Sequence, residues 1–378
     1  MGFVQLADAY PWDKVAPYAE RARAHADGIV DLSIGTPVDP TPAVVQEALS
    51  GAADAPGYPT AHGTLALREA VAAWFAERRG VAALDPDGVL PTVGSKELVA
   101  QLPSLLGLGP DDIVVVPSVA YPTYAVGARL AGAQVLVADD VQLWAGNPAV
   151  RLVWVNSPSN PTGAVLGSEQ LRQVVTAARE IGALVASDEC YAELAWSPAL
   201  TDPAGDGVPC LLQESVSGGD HTGLLVVYSL SKQSNLAGYR AAFAAGDAAL
   251  VHRILQLRRH MGMMVPAPVQ AATIAALADH AHVRQQRERY GRRRESLLGA
   301  LGEAGYAVDH SEAGLYLWIR PADGAEPADC WSMLSDFADR GILVGPGEFY
   351  GNDSGDHVRV ALTASDDRIA RAVERLRV

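Results

Sequence analysis

An α/β fold built on a mostly parallel sheet, followed by a smaller α+β domain, is what this sequence predicts. Three observations carry that reading. From about residue 66 to about residue 260, short continuous apolar runs alternate with helix-period segments, as in a sheet covered by helices on both faces. Polar clusters stand directly after several of those runs, where ligands bind in sheets of this kind. Past roughly residue 282 the pattern changes to a long polar helix, an alternating strand, another helix and two short apolar stretches. At 378 residues the chain also exceeds what one hydrophobic core usually supports, so two domains are expected.

In chain order, the first forty-odd residues are rich in proline and turn signals. They are expected to form a segment (1–45) joined to the smaller domain. The large domain is expected over 46–281. Its first clear helix is Leu65 to Arg79, closed by Gly80; a second runs from Ser168, a capping residue, to Ile181, with Gly182 as terminator. Strands are expected at Ile113–Val116, Gln134–Val137, Leu152–Val155, Ala183–Ala186 and Leu224–Tyr228. The smaller domain (282–378) opens with the polar helix. It continues with a strand from Gly314 to Arg320, a helix at about 328–340, Ile342–Val344 and His357–Leu362. No internal repeat or low-complexity segment interrupts this order.

Composition narrows the function. Hydrophobic residues make up 49% and charged residues 19%, which suits a compact folded enzyme rather than a disordered chain. A formal net charge of −15 argues against nucleic acid or an anionic membrane surface as partner. The basic run Arg284 to Arg294 also holds Glu288 and reads as the solvated face of a helix. Three widely spaced cysteines, Cys190, Cys210 and Cys330, suit a reducing compartment and offer no metal-knuckle spacing, so no metal site is expected. No apolar run reaches membrane-spanning length, and the N-terminus lacks a signal-peptide charge pattern, so the cytoplasm is the expected location.

The most informative residue is a lysine. Only Lys14, Lys96 and Lys232 occur, against 26 arginines (29 Lys+Arg minus 3). Guanidinium stays protonated, whereas a primary amine can lose its proton and attack an aldehyde. Lys232 lies in Ser229-Leu230-Ser231-Lys232, directly after the apolar run Leu224–Tyr228, with Arg240 eight residues on. Hydroxyls on both sides of the amine and a nearby arginine are what a phosphorylated aldehyde cofactor needs. Taken alone, the same tetrapeptide reads as a surface lysine after a strand, Asn160-Pro161-Thr162-Gly163 as a turn, and Asp188 as a helix cap.

Together the motifs resemble the class I/II aminotransferases, pyridoxal-phosphate enzymes of fold type I. The parts occur in the family's order over nearly the whole chain: Gly35-Thr36-Pro37, Tyr58 through Gly63 to Leu67-Arg68, Gly94-Ser95-Lys96-Glu97, Tyr121-Pro122, Asn160-Pro161-Thr162-Gly163, Asp188-Glu189-Cys190-Tyr191, the lysine motif and Arg359. The resemblance implies that Lys232 holds pyridoxal 5'-phosphate and moves the substrate's α-proton. Asp188 would face the pyridine nitrogen, Asn160 and Tyr191 would bond the ring's phenolic oxygen, and Tyr121 would stack on the ring. The amides of Gly94, Ser95 and Lys96, with Ser229, Ser231 and Arg240, would hold the phosphate. Tyr58 would reach that phosphate from a neighbouring subunit, implying a homodimer with shared active sites. Arg359, aided by Gly35 and Asn160, would clamp the substrate carboxylate. Arg359 sits in an apolar strand, where an unpaired charge is costly, so it calls for an anionic ligand or a structural salt bridge.

Within the family, Tyr10-Pro11-Trp12-Asp13, Asp31 to Pro40 and Ala55 to Pro59 look most like actinobacterial N-succinyldiaminopimelate aminotransferases of lysine biosynthesis. That likeness implies glutamate and a succinylated keto acid as substrates. Lys96, Tyr10 and Trp12 are candidates for the distal end of the substrate, Lys96 with phosphate-side potential as its alternative role. A general amino-acid transaminase (aspartate, alanine or aromatic) and a pyridoxal-phosphate β-lyase share the same cofactor residues. A regulator of the same fold would need an added DNA-binding domain, for which the chain leaves no room.

Overall fold

The computed structural model describes residues 11–201, 207–323 and 329–377. A short strand β1 (Val30–Asp31) precedes the main sheet, which is built from β2 (Val89–Val93), β3 (Ile113–Val116), β4 (Gln134–Val137), β5 (Val150–Asn156), β6 (Leu184–Asp188), β7 (Leu224–Ser229) and β8 (Ala241–Gly246). These seven strands lie in the order β2-β8-β7-β6-β5-β3-β4. Pairing is parallel from β7 through β6, β5 and β3 to β4, and β8 alone runs against its neighbours β2 and β7.

The continuous apolar runs are explained by burial on both faces. Along β7, Leu225 and Val227 pack with Leu98, Trp154 and Leu250 on one side, while Val226 and Tyr228 pack with Trp74, Val175 and Phe243 on the other. A strand that must be apolar on both faces loses the usual alternation. The covering helices end as their glycines require. Gly80 and Gly182 close Leu65–Arg79 and Ser168–Ile181 at φ 64° and 69°, a left-handed conformation that costs a residue with Cβ strain. The expected cap Ser168 is instead the first helical residue. Gly167 occupies the cap position, and the Gln170 side chain accepts its N–H at 2.9 Å.

A second sheet follows, from β9 (Tyr306–Asp309), β10 (Tyr316–Pro321), β12 (Gly345–Pro346) and β13 (Val358–Ala361), in the antiparallel order β12-β13-β10-β9. Strand β11 (Ile342–Leu343) pairs in parallel with β1. The helix Ala16–Arg23 packs on the helix Cys330–Asp339, and Val15, Val30 and Leu32 share a core with Leu317, Ile319 and Val360. The polar helix runs His280–Glu303. Arg284, Glu288 and Arg292 are exposed as expected for a solvated face, but Arg293 is buried and pairs with Asp39 and Asp366. The helix therefore has a buried polar stripe that its charge pattern does not reveal.

Five strands escape sequence reading: the short β1 and β12, and β2, β8 and β9. Val89-Leu90-Pro91-Thr92-Val93 carries a proline, which is tolerated because β2 is an edge strand. Ala241–Gly246 is nearly all small residues of weak β-propensity, held in place by its two antiparallel neighbours.

Candidate active site

The carboxyl ends of β2, β5, β6 and β7 converge on one edge of the main sheet, and the polar clusters of the sequence lie there. In register, Asn156 at the end of β5 pairs with Asp188 at the end of β6. The Asn156 side chain donates to the Asp188 carbonyl at 3.0 Å and accepts from the Asn160 N–H at 2.8 Å, tying the turn that carries Asn160 to the strand that carries Asp188.

Asp188 is buried. Tyr124 O–H donates to its Oδ2 at 2.9 Å and the Cys190 N–H to its Oδ1 at 3.2 Å. Burial pushes its carboxyl above the usual range despite those bonds, and the neighbouring Glu189 pushes the same way. Glu189 is itself paired with buried Arg79 at 2.7 Å. A carboxylate in this state would gain from meeting a cation.

Lys232 lies in a single helical turn, Leu230–Gln233, directly after β7, and its Nζ donates to the Gly35 carbonyl. The other lysines are placed differently. Lys14 is exposed and pairs with Glu348, while Lys96 is exposed at the start of helix Ser95–Leu105, 5.6 Å above the Tyr121 ring. Ser229 Oγ donates to Ser231 Oγ at 2.8 Å and accepts the Ser231 N–H at 3.2 Å. Gly94 precedes the Ser95–Leu105 helix at φ 75°, and a Cβ there would lie 2.0 Å from Arg240 Nη2. A guanidinium, a helix N-terminus and two hydroxyls thus converge, a donor set that suits a phosphate dianion. These features fit pyridoxal 5'-phosphate: a half-buried amine, a cationic cup and a buried carboxylate short of a cation.

Arg359, on β13, is 5% exposed. Nη1 donates to Asn160 Oδ1 at 2.9 Å and Nη2 to the Ser33 carbonyl at 2.7 Å, while Nε has no partner. No acidic side chain among the described residues pairs with it, which favours an anionic ligand over a structural salt bridge. Its guanidinium lies 3.9 Å from the Tyr316 ring centroid and 4.9 Å from that of Tyr350. Tyr316 also reaches Tyr191, O–H to O–H at 3.5 Å, and occupies the space that a side chain at Gly35 would need. Burial would raise the Tyr316 phenol, but the charges of Arg359 and Lys232 outweigh it and bring it down; burial pushes Tyr191 up.

The structure therefore gathers Lys232 with Gly35, Asn160 with Arg359, Gly94 with Arg240, Ser229 with Ser231 and Lys96 with Tyr121. Tyr191 joins them through Tyr316, and Asp188 through Asn156. Tyr58 is not among them: it is 96% exposed. Trp12 packs edge-on against Phe349, near the strand that carries Arg359, and Tyr10 lies outside the described residues. Sequence reading missed Tyr124, Asn156 and Tyr316. Tyr124 had a usable signal, three residues after Tyr121 at the start of a helix; Tyr316 reads as one more core aromatic in an alternating strand.

Comparisons with known proteins show the family. Residues 27–376 match the family "Aminotransferase class I and II". A probable aminotransferase of Mycobacterium tuberculosis is 57% identical over 97% of this chain and 84% of its own length. The 4-dedimethylamino-4-oxo-anhydrotetracycline transaminase of Streptomyces rimosus is 53% identical over 97% of this chain and 98% of its own. Among solved structures, a probable N-succinyldiaminopimelate aminotransferase from Thermus thermophilus superposes with a TM-score of 0.84 at 28% identity, covering 97% of this chain and 99% of that one.

Proposed function

We propose, for a chain that belongs to the class I and II aminotransferases, a pyridoxal-phosphate-dependent family, that its reaction moves the amino group of glutamate onto an N-succinylated 2-amino-6-ketopimelate, as in lysine biosynthesis. When bound, the cofactor supplies a ring that accepts the electron pair left on the substrate's α-carbon. The protein's residues do the rest. Lys232 Nζ holds the cofactor between turnovers and, once displaced, takes the α-proton. Asp188 keeps the pyridine nitrogen protonated, and Tyr124 and the Cys190 N–H keep Asp188 aimed. Asn160 and Tyr191 bond the ring's phenolic oxygen, Tyr121 covers the ring face, and Gly94, Ser95, Lys96, Ser229, Ser231 and Arg240 grip the phosphate. Arg359 takes the α-carboxylate of each substrate in turn, with Gly35 and Asn160 beside it.

Both substrates share that carboxylate, so discrimination belongs to the distal end. The observation that carries this reading is the exposed Lys96 amine above Tyr121, where it can meet a succinyl carboxylate. The likeness to the Thermus enzyme supports it. Losing one charge-assisted contact costs roughly 1.5–3 kcal/mol, about ten- to a hundredfold. Lys96→Ala is expected to lower kcat/KM for the succinylated substrate by that factor and to lower it less for alanine. Equal losses would assign Lys96 to the phosphate alone. Wild type preferring aspartate or aromatic amino acids would sink the substrate assignment. The Streptomyces relative favours a second reading, a polycyclic ketone as acceptor, which adding such a ketone to the panel distinguishes.

The working unit in this proposal is a homodimer, an N-terminal segment (1–45) joining a small domain (282–378) to a large one (46–281). Tyr58, exposed in the single chain, would complete the neighbour's phosphate cup. Mixing Tyr58→Ala with Lys232→Ala is expected to restore activity through hybrid dimers that hold one intact site. No recovery despite verified subunit exchange would count against sharing.

A further inference from the structure

The helix His280–Glu303 turns a polar stripe toward the lysine. His282, Gln286, Tyr290 and Arg293 follow at helical spacing, so they share one face. His282 Nε2 lies 2.8 Å from Ser234 Oγ, two residues past Lys232. Asn235 donates to Gln286 Oε1 at 3.1 Å and accepts from Tyr290 O–H at 3.4 Å. Gln286 and Arg293 both hold Asp39, four residues after Gly35, whose carbonyl receives the Lys232 amine. One helix face thus grips the turn that carries the amine and the segment that receives it.

The His282 contact has a direction. Tyr228 O–H donates to Gln233 Oε1, and Gln233 Nε2 donates to Ser234 Oγ at 3.2 Å. Ser234 then has its own proton to give, and His282 Nε2 is the acceptor in reach. On the far side of the ring, Nδ1 lies 3.2 Å from Asp279 Oδ2, where it must donate because a carboxylate only accepts. Every donor has one acceptor only if the imidazole is neutral. Ser234 is 0% exposed and His282 8%, so water does not substitute freely for a lost bond.

We propose that neutral His282 is a positioning residue for Lys232: through Ser234 it locks the turn carrying the amine, and its protonation releases that lock. The inference rests on Lys232 holding the cofactor. Protonation places the ring's second N–H hydrogen on Nε2, facing an oxygen that already accepts from Gln233, and leaves the Ser234 proton without its acceptor. A cleft of about 510 Å³ opens beside Asp279, His282 and Arg289, giving protons a route. Around the ring, Asp279 favours the charged form and His280 opposes it, while Arg289, on the same helix, lines the cleft as a cation. The lysine turn adds Lys232, its Nζ directed at Gly35, and the segment 39–46 brings Asp39, paired with Arg289 and Arg293, beside neutral Thr41 and Gln46. Burial holds the imidazole below its ordinary value of 6.5, so the neutral-form contribution is whole above that pH and drains as pH falls through the lower folded value.

The test follows cofactor retention by absorbance in the holoenzyme between pH 5 and pH 8, with borohydride reduction and peptide mapping alongside. Wild type is expected to lose affinity for pyridoxal phosphate on the acid side by about five- to tenfold, the worth of one buried hydrogen bond. His282→Gln offers Ser234 an oxygen that does not titrate, so its profile should be flat over that limb. Ser234→Ala removes the same bond from the other side and should also lack the limb, with weaker retention throughout. His282→Gln following the wild-type curve, or Ser234→Ala keeping the wild-type limb, would overturn the inference. If mapping finds the label on Lys14 or Lys96, the site reading itself has failed; if it finds Lys232 and the profiles coincide, only the role of His282 has.

Discussion

Lys232→Ala is expected to abolish transamination while the chain still folds. The amine sits in a four-residue turn whose backbone is held by β7 on one side and by the Ser234 and Asn235 contacts on the other, so losing the side chain removes chemistry and little packing. General-base help alone is worth about 10²–10⁴-fold, and the covalent attachment goes with it, so the rate should fall by at least about 10⁴. Single-turnover assays read the chemistry, and far-UV circular dichroism reads the fold. Neither other lysine can replace it in place: Lys14 is tied at the surface to Glu348, and Lys96 stands over the outer ring Tyr121. Borohydride labelling of either one in the wild-type holoenzyme would overturn the assignment.

That lysine was legible because the sequence is so sparing of its kind, and because two hydroxyls and the amine fall within four residues at the end of a strand. The parallel strands were legible for a related reason: burial on both faces demands unbroken apolar runs such as Leu224–Tyr228. Legibility fails where tertiary pairing outranks local preference. β8 is alanine-rich and β2 carries Pro91, and each is a strand only because its neighbours supply hydrogen bonds. It fails again for groups that act through another residue. Nothing in Gly314-Leu315-Tyr316 distinguishes a phenol stacked on Arg359 from a core aromatic, since the partner is 43 residues away along the chain and adjacent only once β10 and β13 pair. Arg293 shows the same limit from the other side: a basic run looks solvated until Asp39 and Asp366 are brought to it.

Asp188→Ala is expected to cost several powers of ten in rate while weakening cofactor binding less. The reason lies in what the position already lacks. Burial makes the ionised carboxylate unfavourable in the protein alone, and the Tyr124 and Cys190 bonds do not fully offset it. A protonated pyridine nitrogen held beside it would supply the missing cation, and Asp188 would in turn keep the ring able to accept electrons as the α-proton leaves. That interaction strengthens in the transition state, so its loss appears in kcat. A drop of 10³ corresponds to about 4 kcal/mol, whereas a loss under about tenfold, 1.4 kcal/mol, would refute the role. Alanine also strands the Tyr124 hydroxyl, which by itself costs roughly 1–3 kcal/mol of stability. Asp188→Asn separates the two effects, because its side-chain oxygen still accepts from Tyr124, while the charge and the acceptor for the Cys190 N–H are gone. If charge is what matters, Asp188→Asn should lose nearly as much activity as Asp188→Ala while losing less thermal stability than alanine does. Recovery of activity in the asparagine variant would instead make Asp188 a structural anchor for Tyr124.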